Sequence, residues 1–211
     1  MTLKKNVIST LVTYLIIYLF PALLNTVVHL GSKIYWVQTL DYIIGACLLC
    51  YFYWRTNQQA PLEKRHLSKT MLFKWGIIGF AAALVAQYLA SMLNLLIFHS
   101  LPSSANTATI LAVIHHYPFY LLATVIAAPI MEELVFRRAI FGTLTPLTGK
   151  IGAALIASVM FALAHADGHL LVYTSIGLVF CYLYQKTGRI QTSMISHILM
   201  NAVVIGANLL A

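Results

Sequence analysis

The sequence encodes an all-α, polytopic transmembrane helical bundle with about seven spanning helices. Composition is the first sign. Of 211 residues, 61% are hydrophobic and only 9% charged, against about 25% charged in soluble domains. The second sign is the length of the apolar runs, most of them near the roughly 20 residues that a helix needs to cross hydrocarbon. The third is the placing of Lys and Arg, which gather at alternate intervals between the runs.

The first run, 7–29, follows Lys4 and Lys5. It stays apolar to Val28 with no small-residue cleavage site, so it is expected to stay as a spanning helix and not to leave as a signal peptide. The second, 36–54, holds Cys47 and Cys50 in C-L-L-C. In an apolar helix these thiols, like Cys181, are expected to be small apolar fillers. The third run, 74–98, follows the most basic interval of the chain. The fourth, 118–143, carries A-P-I-M-E-E-L-V-F-R-R, in which Pro129 is expected to kink the helix and free backbone groups. Two short runs, 151–166 and 169–185, follow closely on one another, and 190–210 is the last.

Charge orients these runs. Lys4 and Lys5 lie before the first run; Arg55, Lys64, Arg65, Lys69 and Lys74 follow the second; Arg137, Arg138 and Lys150 end the fourth; Lys186 and Arg189 end the sixth. The intervening ends carry Lys33 alone, then nothing basic from His99 to Tyr117, around Asp167 or at the C-terminus. The positive-inside rule places the N-terminus in the cytoplasm and the C-terminus outside. The net charge of +8 thus reports topology. No basic patch with interleaved aromatics exists, so no nucleic-acid partner is expected. The chain is expected to be a single membrane domain, 1–211, with N-terminal helices over 1–110 and a catalytic core over 111–211.

Ionisable groups inside the apolar runs are the functional signal, because a charge at the bilayer centre costs at least about 2.5 kcal/mol. Glu133 and Arg137 are spaced i,i+4 and can pair on one helix face. Glu132 lies about 100° away around the helix and points elsewhere. The whole run could also be an ion network that only fixes packing, but a second carboxylate beyond the paired one is costly for that role alone. His165 ends F-A-L-A-H, with Phe161 one turn before it. By itself it reads as a hydrogen-bonded core histidine. His197 and Asn201, in H-I-L-M-N, share a face and could by themselves be a helix–helix hydrogen bond. At 1.5 Å per residue from the cytoplasmic helix ends, His197, Glu132, Asn201 and His165 lie at roughly 12, 15, 18 and 22 Å, so three helices deliver polar groups to overlapping depths. Asp167 and His169 are candidates for the outer end of such a site. His29, His66, His99, His115 and His116 fall at run ends or in loops, where solvation is the default.

E-E-L-V-F-R (Glu132 to Arg137), F-A-L-A-H (Phe161 to His165) and H-I-L-M-N (His197 to Asn201) resemble, in order, the three motifs of the CPBP family. That family comprises the type II CAAX prenyl proteases and the bacterial Abi proteins, including bacteriocin-immunity members. The resemblance covers about the last 95 residues. It implies an intramembrane endopeptidase in which Glu132 and His165 activate water, Glu133 and Arg137 support them, and His197 and Asn201 stabilise the oxyanion. The sequence departs from the pattern at Arg138, where many members have Gly, and in having about seven helices where the eukaryotic enzymes have eight.

The chemistry is coherent without the family. Hydrolysis needs a base for water and donors for the developing oxyanion. A glutamate shielded from bulk water is a competent base at neutral pH, and Asn201 offers an amide N–H. Neither a Ser-His-Asp set nor H-E-x-x-H is present. Glu132, His165 and His197 are also the donor types of a catalytic zinc site with one open position, so one divalent metal, such as Zn, or none are both open. The expected partners are a peptide or protein substrate, reaching the site from the cytoplasmic side, and the lipid bilayer; a bacterial cell membrane is the expected location. A bacteriocin, a pheromone or another secreted peptide would suit as substrate, in processing or in self-immunity. The alternative is a non-catalytic membrane immunity or binding protein. A small transporter is disfavoured by the absence of repeats and paired broken helices.

Overall fold

In the computed structural model, residues 1–63, 66–99 and 105–210 are described, and all regular structure among them is helical. Lys64 and Arg65 of the second basic interval, and residues 100–104 of the charge-free one, lie outside the described residues. Helix α1 spans Leu3–Val28, where the Thr2 side chain accepts the Lys5 N–H at its start and His29 turns left-handed at its end. After one 3₁₀ turn, α2 spans Ile34–Trp54. Helix α3 spans Lys69–Phe98 and starts five residues before the apolar run, because Ser68 caps it by accepting the Met71 N–H. A short helix that the apolar runs did not predict, α4, spans Ala105–His116.

The fourth run is wound unevenly. We call its 122–141 stretch α5: a π-helical turn over Leu122–Ala127, an α-helical turn over Ala128–Glu132, and a second π-helical stretch over Glu133–Phe141. It passes into α6, Gly142–His165, which breaks at Gly149 with φ 72° and ψ 172°. A conformation at positive φ is open to glycine at no steric cost. The break is a full reversal. The Phe136 and Phe161 rings lie 5.4 Å apart, whereas 25 residues of straight helix would separate them by about 37 Å. The 44-residue segment Leu122–His165 is therefore two limbs, matching the fourth and fifth runs. Helices α7, Leu170–Thr187, and α8, Ile190–Leu210, complete the bundle.

Among the described residues, five segments are long and apolar enough to cross a membrane: Leu3–Val28, Gly31–Trp54, Lys69–Ile97, Leu122–His165 and Ile190–Leu210. Their outer faces are apolar and bare, as at Leu15, Leu23, Val85, Leu89 and Leu163, while Asn6, Glu133, Arg137, Ser196 and His197 are buried within. That inversion is what a hydrocarbon solvent demands. Small residues let the helices close up. Ser196 Oγ donates to the Gly76 carbonyl at 2.8 Å, joining α8 to α3. A Cβ on Gly177 of α7 would lie 2.8 Å from Ser158 Cβ of α6.

The basic end of the bundle is sealed. Arg138 reaches Glu63 at 3.1 Å, donates to Asn6 Oδ1 and covers the Tyr53 ring at 4.7 Å. Asn6 Nδ2 in turn donates to the Phe52 carbonyl at 2.7 Å. The arginine that departs from the family pattern thus clamps the starts and ends of α1, α2 and α5.

Candidate active site

Pro129 shapes the helix that carries the acidic pair. The Ala128 N–H bonds the Ala123 carbonyl, one residue further back than in an α-helix. In that register the Thr124 carbonyl would face residue 129, a proline with no N–H. Asn201 supplies the missing donor: its Nδ2 bonds the Thr124 carbonyl at 3.0 Å. A break in one helix is thereby converted into a fixed pose for a side chain of another.

Below Pro129 the two glutamates straddle one imidazole. His197 Nδ1 lies 3.0 Å from Glu133 Oε1, and His197 Nε2 lies 3.5 Å from Glu132 Oε2. Glu133 also pairs with Arg137, Nε to Oε1 at 3.4 Å, and neither side chain is exposed at all. The Arg137 guanidinium lies over the rings of Phe161 at 4.2 Å and Phe180 at 5.2 Å, a desolvated cation–π arrangement. The Glu133–Arg137 pair is as its spacing predicts. His197 is not where its pairing with Asn201 suggested: it is buried between carboxylates, and Phe180 tilts against it at 4.9 Å.

Glu132 is the carboxylate that reaches open space, with 16% of its side chain exposed. It lines a cavity of about 210 Å³ together with Tyr14, Tyr42, Thr124, His165 and Asn201. A second cavity, of about 150 Å³, adjoins it and shares Asn106, Ile110, Thr124, His165 and Asn201. His165 thus stands at the waist between the two. Its Nδ1 lies 2.9 Å from the Phe161 carbonyl. A carbonyl can only accept, so Nδ1 carries the proton and the neutral ring keeps its lone pair on Nε2. The ring stacks on Tyr173 at 3.9 Å, and Tyr173 donates its O–H to Asp167 at 2.9 Å.

Of the six expected site residues, Glu132, His165 and Asn201 line one cavity, while Glu133, Arg137 and His197 form the buried network behind Glu132. His169 lines the second cavity, and Asp167 accepts hydrogen bonds from the Tyr173 hydroxyl and the His169 backbone N–H. Two pairs of residues in the N-terminal helices were missed: Tyr14 with Tyr18, and Gln38 with Tyr42, all lining the first cavity. Each pair is spaced i,i+4 on one face, and that spacing was the available signal. No group of three His, Cys, Asp or Glu able to hold a metal occurs among the described residues. Glu132, His165 and His197 thus do not form such a group as they stand.

Comparison with known proteins places these residues in context. Residues 114–203 match the family described as Type II CAAX prenyl endopeptidase Rce1-like. YdiL of Bacillus subtilis (strain 168), a membrane peptidase by name, is 41% identical over 132 residues, which are 62% of this chain and 54% of that protein. The chain therefore spans about half the length of YdiL. The membrane-embedded CAAX protease MroQ of Staphylococcus aureus (strain USA300) is 26% identical over 97% of this chain and 86% of its own. The UPF0177 protein YxdF of Lactococcus lactis subsp. lactis (strain IL1403) is 33% identical over 70% of this chain and 82% of its own. No solved structure matches.

Proposed function

As the chain belongs to the CPBP family of CAAX-type membrane proteases, we propose that it is an intramembrane endopeptidase whose water is activated by Glu132 and His165. The observation that carries this is that the partly exposed His165 and Glu132 line one cavity, while the carboxylate beside Glu132 is wholly buried and paired.

In this mechanism Glu132 takes a proton from water as that water attacks the scissile carbonyl. His165, with Nδ1 committed to the Phe161 carbonyl, offers the Nε2 lone pair to hold the same water, and Glu132 then gives the proton it took to the leaving amine as the C–N bond breaks. Asn201 has two amide N–H groups. One is fixed on Thr124, and the other is oriented to meet the developing oxyanion, a role that rewards a preset donor. His197 takes a different part from the one the motif implied. It holds Glu132 in place from behind, steadied by Glu133 and Arg137, and so positions the base and does not touch substrate. No step is routed through a metal. The substrate is a peptide or protein segment at the membrane, processed for maturation or clearance.

Purified wild-type protein and Glu132→Gln, incubated with a proteome-derived peptide library, test this directly. Wild type should create new peptide termini and the variant none. Equal cleavage by the variant overturns the role of Glu132.

A further inference from the structure

We propose that the catalytic cavity is served from the face opposite the basic loops, so that its substrate is an exported peptide presented at the outer surface and not the cytoplasmic tail of a protein. The substrate's chemistry rests on the peptidase role above; the access side does not.

The two ends of the bundle are built differently. At the basic end, Asn6, Arg138, Tyr184, Ile190 and Thr192 are all buried. The Arg138–Glu63–Asn6 clamp closes over them, and the Met1 ammonium donates to the Arg55 carbonyl at 2.8 Å. A peptide arriving there would have to break a buried ion pair and its hydrogen bonds before meeting Glu132. Two apolar grooves do lie along the outside of α2, but neither is lined by Glu132, His165 or Asn201.

The opposite end is where both cavities lie. His165 is the last residue of α6, Tyr120 precedes α5 and Gln38 is in the second turn of α2, and all three line the first cavity. His169, which caps the start of α7, lines the second. Asn106 and Ile110 of the short helix α4 border both. No Lys or Arg occurs from 99 to 117 or from 151 to 185, so the positive-inside rule makes this the outer face. A path from there meets Asn106, then Thr124, His165 and Asn201, and ends on Glu132. The seal on the basic side reverses the cytoplasmic access that the motifs alone suggested.

Thiol labelling reads the access side without any cleavage. In a Cys47→Ser, Cys50→Ser background, with Cys181 buried, single cysteines are placed as Asn106→Cys and Gln38→Cys near the mouth and as Thr124→Cys at the waist. Lys5→Cys marks the basic end. A charged, membrane-impermeant methanethiosulfonate is applied to intact cells and to inside-out vesicles. Residues 38, 106 and 124 should label in intact cells and be spared in the vesicles, with Lys5→Cys the reverse. Labelling of the cavity positions only in inside-out vesicles, or equally from both faces, overturns the proposal, as does a waist position that labels from neither. A chain that labels as expected yet cleaves nothing removes the peptidase role and leaves the access side standing.

Discussion

Nδ1 of His197 stands 3.0 Å from Oε1 of Glu133, although 64 residues separate them. Nε2 of the same ring faces Glu132 at 3.5 Å. One imidazole thus ties α8 to two consecutive carboxylates of α5, and the exposed carboxylate inherits its pose from the buried one.

The first prediction concerns that inheritance. His197→Gln should retain one contact and lose the other, lowering kcat by roughly 10- to 100-fold with little change in KM, because misplacing a catalytic group by about 1 Å costs on that order. Steady-state kinetics on a cleaved library peptide checks this. A rise in KM alone would show that His197 contacts substrate.

Arg137 should matter to the fold before it matters to the chemistry. Arg137→Leu leaves Glu133 in a dry site without its guanidinium partner and with the His197 ring beside it, a loss of about 3–5 kcal/mol. Arg137→Lys should rescue only in part, since an ammonium cannot lie flat between Phe161 and Phe180. Thermal unfolding in detergent decides it; an unchanged Tm for Arg137→Leu would refute the pairing.

Tyr173 should act as a positioning residue for His165. Tyr173→Phe keeps the stacked ring but loses the hydrogen bond to Asp167, worth about 1 kcal/mol, and should slow turnover several-fold. Tyr173→Ala should cost far more. Equal rates for Tyr173→Ala and wild type would show that the stack is incidental.

Gly177 tests the closeness of α6 and α7. Its added methyl would meet Ser158 Cβ at 2.8 Å, with the Ser158 backbone at 3.1 Å, so Gly177→Ala should destabilise by about 1–3 kcal/mol. Ser158→Gly in the same chain should recover part of the loss. A Tm for Gly177→Ala equal to wild type would mean that the helices are further apart than they stand here.

Removal of metal is a further test of the chemistry. Because no group of three metal donors forms among the described residues, dialysis against EDTA should leave peptide cleavage unchanged. Loss of cleavage restored by zinc would show that the donors rearrange around an ion.

Much of this was legible in the sequence, for a physical reason. Hydrocarbon forces helices to be long and apolar, so the runs mark them, and it makes buried charge so costly that Glu132, Glu133 and Arg137 stand out unaided. What was not legible depended on rotation and winding. A helix holds Glu132 and Glu133 about 100° apart and suggests separate neighbours; both nonetheless meet His197, because its ring presents Nε2 to one and Nδ1 to the other. The bond from Asn201 to Thr124 arises from the missing N–H of Pro129, which the sequence shows, but its partner came from a helix 72 residues later. The cavity's α1 and α2 wall was hidden because tyrosines are unremarked in membrane helices. The short helix α4 has no long apolar run to announce it.

The central claim is that Glu132, and not its buried neighbour, is the base. The most direct measurement is cleavage of a proteome-derived peptide library in water enriched with oxygen-18, by wild type and by a Glu132→Gln protein whose Tm matches it. Wild type should yield new C-termini that carry the heavy oxygen, and the variant should lose at least about 100-fold in rate, within the range expected for a missing general base. A folded Glu132→Gln protein that produces the same labelled termini at the same rate would contradict the account.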